Sequence, residues 1–134
     1  MASSGMLQAR VVSAEMPKIL VVDDEPLIAM MIADWLAEQG LETLGPAHSV
    51  SQALALLETD AADAAILDVS LGNDDCYDIA EVLSAKGIPF AFATGHGADA
   101  MAKRYADVVT VSKPFDFEAV RFVVAKLLKD SSSA

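Results

Sequence analysis

Four apolar runs of this chain end on residues that can do chemistry. Ile19-Leu20-Val21-Val22 ends at Asp23 and Asp24, Ala64-Ala65-Ile66-Leu67 at Asp68, Phe90-Ala91-Phe92-Ala93 at Thr94, and Val108-Val109-Thr110-Val111 at Ser112-Lys113. Taken singly, an Asp or Thr at the end of a strand usually does no more than hold a turn. Gathered at one edge, the carboxylates would repel each other by roughly 4 kcal/mol per pair at about 4 Å and an effective dielectric of about 20, so the set calls for a cation. Oxygen donors with no nearby His or Cys suit a hard divalent ion, and Mg²⁺ fits better than Zn²⁺. A carboxylate beside such an ion can attack phosphorus, while a lysine ammonium and a threonine hydroxyl can take up the charge of the transferred group.

For these residues to meet, the runs that carry them must be neighbouring strands. Each run is short, rich in apolar residues and stops at a polar turn, as buried strands do. Between them the period changes to that of helices. From Leu27, the residues Ile28, Met31, Ile32, Trp35 and Leu36 recur at helical spacing, with Gly40 placed to end the helix. That spacing assigns Trp35 and the Met30-Met31 pair to the core rather than to a ligand surface. A second strand is expected near Leu41–Leu44, then a Gly45-Pro46 turn and a helix capped by Ser49 with Val50, Ala53, Leu54 and Leu57 inward. After the polar loop Leu71-Gly72-Asn73-Asp74-Asp75, a third helix turns Ile79, Val82 and Leu83 inward and stops at Gly87. Residues 98–105 are only weakly helical. The last helix is expected after Asp116, with Val120, Val123, Val124 and Leu127 on one face, and frays into a Ser-rich tail from Lys129.

Five strands alternating with about five helices predict an α/β fold, a doubly wound parallel sheet with helices on both faces. In such a sheet, function belongs at the carboxyl ends of the strands, where Asp23, Asp24, Asp68, Thr94 and Lys113 fall. The chain of 134 residues suits one domain, read here as a flexible leader over 1–16, a folded domain over 17–129 and a disordered tail over 130–134. Its net charge of −11 disfavours direct contact with nucleic acid or anionic lipid. The longest apolar stretch, Leu27–Ala33, is too short to span a membrane, and the absence of a secretory signal predicts a cytoplasmic protein. The single cysteine, Cys76, excludes an internal disulfide and reads as a small half-buried residue.

From about Lys18 to Leu128 the sequence resembles the response-regulator receiver domain. The resemblance rests on Ile19-Leu20-Val21-Val22-Asp23-Asp24-Glu25-Pro26, Ile66-Leu67-Asp68, Ala93-Thr94-Gly95 and Ser112-Lys113-Pro114-Phe115, in the family's order. It implies a flavodoxin-like (βα)5 fold, similar to CheY, with strand order 2-1-3-4-5. It also implies that Asp68 is the phosphoacceptor, that Asp24 binds Mg²⁺ directly and Asp23 mostly through water, and that the Ser70 carbonyl is a further metal ligand. Thr94 and Lys113 would then bind the phosphoryl group, and the Lys113-Pro114 peptide would be cis. The stretch Pro89-Phe90-Ala91-Phe92-Ala93-Thr94-Gly95 is similar to the narrower receiver subgroup of alphaproteobacteria named for its Phe-Ala-Thr-Gly motif. Thr110 stands where many receivers carry a switching aromatic, and Gly72 where many carry a proline. Together with the Gly- and Ala-rich segment 95–105, these departures predict a mobile fourth-helix region ordered by metal or phosphorylation.

The resulting expectation is a phosphorylation-dependent switch of a two-component system. It accepts a phosphoryl group on Asp68 from a histidine kinase or phosphotransfer protein and changes its affinity for a downstream effector protein. It is not an enzyme beyond its own phosphorylation and dephosphorylation, and no output domain is expected in the chain. Ser70 and His96 occupy positions that tune phosphoryl lifetime in the family, whereas His48 reads as a turn residue. Lys103, Arg104, Asp107 and Arg121 are candidates for a homodimer contact. The alternative is an Mg²⁺-dependent phosphohydrolase with Asp68 as nucleophile. It is weakened by Ser70, which stands where such enzymes commonly place a general acid.

Overall fold

The computed structural model describes residues 16–71, 74–94, 108–113 and 116–132. Each apolar run forms a strand: β1 (Lys18–Val22), β3 (Ala64–Asp68), β4 (Phe90–Thr94) and β5 (Val109–Ser112). With β2 (Glu42–Ala47) they make one five-stranded sheet in the order β2-β1-β3-β4-β5, every neighbouring pair parallel. The helices are α1 (Pro26–Glu38), α2 (Val50–Thr59), α3 (Tyr77–Lys86) and α4 (Phe117–Ser132). This is the (βα)5 flavodoxin-like receiver fold, and the expected strand order is the one found.

Successive residues of a strand point to opposite faces, and the two cores follow that alternation. Leu20 and Val22 join Leu67 and Phe92 beneath α2 and α3, through Ala53, Leu57, Ile79 and Leu83. Ile19 and Val21 join Ile66, Ala91 and Ala93 beneath α1 and α4, through Ile32, Leu36, Val120 and Val124. Burial on both faces explains why β1 and β3 read as unbroken apolar runs. The helix caps also agree with the sequence. Ser49 Oγ accepts the Gln52 N–H at 3.2 Å, Asp116 Oδ1 accepts the Ala119 N–H at 2.9 Å, and Gly87 closes α3 in the left-handed conformation at φ 74°.

Several expectations are corrected. Strand β2 runs through Gly45 and Pro46 to Ala47 instead of turning at them; its register shifts between Leu20/Val22, and the Gly45-Pro46 peptide is cis. The sheet accommodates this proline because β2 is an edge strand. Met30 and Met31 are not core residues. They are 59% and 38% exposed, with Leu27 at 73%, because α1 packs through Ala29, Ile32 and Leu36. In the polar loop after β3, Ser70 pairs with Asp75 and Leu71 with Asp74 in a two-residue antiparallel ladder. Helix α4 continues past Lys129 to Ser132, into the expected tail, with Lys129 in its last turn where a positive charge favours the helix terminus. Four helices of this size are found among the described residues; the weak helix expected over 98–105 lies outside them. No helix among the described residues is long and apolar enough to cross a membrane.

Candidate functional site

Register brings the strand ends together. Asp68 lies opposite Ala93, the Val69 N–H donates to the Ala93 carbonyl at 3.0 Å, and Thr94 lies opposite Ser112. The Lys113 N–H then donates to the Thr94 carbonyl at 2.8 Å, which fixes the root of the lysine beside β4. On the other side of β3, β1 delivers Asp23, whose N–H donates to the Ala47 carbonyl at 3.0 Å. Asp23, Asp68 and Thr94 are the buried polar side chains among the described residues, and all three sit at this one edge.

Lys113 links the carboxylates. Its Nζ lies 3.3 Å from Asp23 Oδ2, 3.4 Å from Asp68 Oδ2 and 3.5 Å from Glu25 Oε1. Burial alone would lower the lysine pKa, but the charges of Asp68 and then Asp23, with hydrogen bonds to both, outweigh it and hold the ammonium above its ordinary value. The other oxygen of Asp23, Oδ1, accepts the Glu25 N–H at 2.9 Å, so that carboxylate is held from both sides. Glu25 precedes Pro26 at the start of α1, where the helix dipole favours negative charge.

The carboxylates of Asp23, Asp24 and Glu25 each offer an oxygen, all within 4.8 Å of one another, with Asp23 buried and the other two exposed. This surface cluster has the donor chemistry of a hard cation and none of the nitrogen or sulfur that zinc prefers. Glu25 directly follows the two aspartates, but no strand end or spacing in the sequence marks it as a member of the cluster. Asp68 is joined to the cluster through Lys113 rather than standing within it. Ser70, two residues on, begins the short antiparallel ladder. Thr110 is half-buried in β5, its hydroxyl donating to the Val108 carbonyl at 3.2 Å. His96, Gly72, the segment 95–105 and the Lys113-Pro114 peptide lie outside the described residues, as do Lys103, Arg104 and Asp107. Arg121 is described: its guanidinium pairs with Glu118 on the exposed side of α4, at 2.6 Å.

His48 is more than a turn residue. Its Nδ1 lies 3.0 Å from the backbone carbonyl oxygen of Asp23, a bond between residues far apart in sequence that no local pattern announces.

A doubly wound parallel sheet with an acidic cluster, a buried aspartate, a threonine and a lysine at its carboxyl edge defines a receiver-type signalling fold. Residues 19–125 match the response regulator receiver domain family, and the chain belongs to it. Among solved structures it is similar to SdrG from Sphingomonas melonis Fr1, with 41% identity, a TM-score of 0.72 and coverage of 88% of this chain and 98% of that one. It is similar also to the BeF3-activated conformation of SdrG from Pseudomonas melonis Fr1, with 44% identity, a TM-score of 0.72 and coverage of 83% and 95%. Transcriptional regulatory protein PdtaR of Mycobacterium tuberculosis is 31% identical over 102 residues, covering 73% of this chain and 50% of that protein. The chain spans about half the length of the curated relatives it matches.

Proposed function

We propose that this chain is a phosphorylation-dependent switch of a two-component system, with Asp68 as the residue that receives the phosphoryl group. The observation that carries the proposal is the position of Lys113, whose ammonium is shared between the buried carboxylates of Asp68 and Asp23 at 3.4 and 3.3 Å. An oxygen of Asp68 forms the new bond to phosphorus as the phosphorus–nitrogen bond of a phosphohistidine donor breaks. Lys113 is already in place to offset charge on the incoming oxygens, and the Thr94 hydroxyl lies one strand away to donate to them. Asp24, Asp23 and Asp68, with the Ser70 carbonyl, would hold Mg²⁺, and Glu25 adds charge at the rim. When bound, Mg²⁺ neutralises charge shared between the carboxylates and the phosphoryl oxygens.

The donor is a histidine kinase or phosphotransfer protein, as the family implies, and the response is a changed affinity for an effector protein. Leu27, Met30 and Met31 form an exposed apolar patch on α1, the helix that starts directly after Glu25, and a donor reaching Asp68 would cover it. The Phe92-Ala93-Thr94-Gly95 motif supports membership of the narrower receiver subgroup that carries it.

Titration with Mg²⁺ and beryllofluoride, followed by backbone amide shifts, tests this reading. The expected result is a stoichiometric complex with the largest shifts around Asp23–Glu25, Asp68 and Lys113, absent in Asp68→Asn. Shifts of equal size in Asp68→Asn would refute the assignment.

A further inference from the structure

Asp23 is held at every polar atom. Its N–H donates to Ala47 O at 3.0 Å, Oδ1 accepts the Glu25 N–H at 2.9 Å, and Oδ2 faces the Lys113 ammonium at 3.3 Å. Its remaining group, the backbone carbonyl, lies 3.0 Å from His48 Nδ1. A carbonyl oxygen can only accept, so Nδ1 must carry the proton and donate. In the neutral ring this selects the Nδ1–H tautomer and leaves Nε2 as the bare nitrogen.

His48 is itself anchored. Its N–H donates to Gln52 Oε1 at 2.8 Å, while the Gln52 N–H donates to Ser49 Oγ at 3.2 Å. The first turn of α2 therefore fixes the residue whose ring reaches across to the loop after β1. The carbonyl that it holds belongs to the Asp23–Asp24 peptide, and a trans peptide is planar. Fixing the direction of that C=O also fixes the opposed Asp24 N–H and the path of the chain into Asp24, an exposed member of the acidic cluster.

We propose that His48 is a positioning residue of the acidic site, holding the Asp23–Asp24 peptide in the orientation that Mg²⁺ binding requires. The proposal deepens the reading above and rests on it, because it takes the acidic loop to be the Mg²⁺ site. It assigns to His48 the part that outer hydrogen-bond partners play around metal ligands, where loss of one weakens affinity by about tenfold or more.

The test combines a spectroscopic signature with conservative rescue. Long-range proton–nitrogen correlation spectra of the full chain are expected to show His48 protonated at Nδ1 and bare at Nε2. Mg²⁺ affinity, titrated through amide shifts, is expected to fall about tenfold in His48→Leu. In His48→Asn, whose side-chain amide presents an N–H close to the Nδ1 position, it is expected to return to within about twofold of the parent. Amide spectra that overlay away from the β1–α1 loop confirm that both variants are folded. An Nε2–H tautomer, an unchanged affinity in His48→Leu, or equal losses in the folded Leu and Asn variants would each overturn the role of His48. A parent chain that takes up no Mg²⁺ would instead overturn the site reading on which the proposal stands.

Discussion

The two ends of the parallel sheet both carry acidic residues and a lysine, but they hold them differently. At the amino end, Glu58, Asp60 and Lys86 line an open hollow of about 420 Å³ with Leu57, Ala62 and Ile88, and the nearby Asp63 accepts the Lys18 N–H at 2.8 Å. Asp63 is exposed and does a backbone job, as an acid at a strand start commonly does. At the carboxyl end, Asp23 and Asp68 are only 1% and 5% exposed and share one ammonium. Burying a carboxylate is costly unless it is paired, so burial and pairing, not the presence of acids, distinguish the site from the rest of the surface.

The sharpest way to break this contrast is to remove each lysine. Lys113→Met leaves Asp23 and Asp68 buried without their shared ammonium and is expected to lower stability by about 3 kcal/mol in urea unfolding with EDTA present. Lys86→Met, at the exposed end, is expected to change it by less than about 0.5 kcal/mol. Equal effects at the two ends would erase the distinction.

Metal affinity separates the ends next. Asp24→Asn is expected to weaken Mg²⁺ binding by at least about tenfold, since hard-ion affinity follows ligand charge. Asp63→Asn should leave Mg²⁺ binding unchanged, and Asp63→Ala should cost about 1 kcal/mol of stability through the lost bond to Lys18. Calorimetric titration of both aspartate variants checks the first pair, and urea unfolding the last.

The effect of pH follows from the raised pKa of Lys113. The unfolded lysine titrates near 10.4, so the stabilising contribution of the paired ammonium is fully present below that value. It is lost as pH rises through the higher folded pKa, whose main opposing influences are burial, which lowers it, and Asp68 and Asp23, which raise it further. The stability gap between the parent and Lys113→Met, measured with EDTA present, is expected to hold constant through the neutral range and narrow only in strong alkali. A gap that closes below pH of about 9 would contradict the ion-pair account.

Much of this was legible in the sequence, for identifiable reasons. Strands buried on both faces announce themselves as unbroken apolar runs, and their carboxyl ends are where polar residues begin, so Asp23, Asp68, Thr94 and Lys113 could be placed from Ile19–Val22, Ala64–Leu67, Phe90–Ala93 and Val109–Val111 alone. Caps such as Ser49, Gly87 and Asp116 are local events and were equally visible. The buried face of α1 was not, because Leu27 through Ala33 are all apolar and the pattern does not choose between Met31 and Ala29. Nor was the course of β2, since Gly45-Pro46 is a turn signal that an edge strand can absorb. The bond from His48 to Asp23 joins two loops through a side chain and a backbone carbonyl, and periodicity carries no record of such a pairing.

The central claim is that Asp68 accepts a phosphoryl group with the help of the acidic loop and Lys113. Intact mass after incubation with Mg²⁺ and a small acyl-phosphate donor tests it most directly, beside Asp68→Asn and an EDTA control. The account predicts addition of a single phosphoryl group to the parent chain, lost in both controls. Addition that persists in Asp68→Asn, or a parent chain that takes up Mg²⁺ and is never phosphorylated by either the small donor or a phosphohistidine protein, would contradict it.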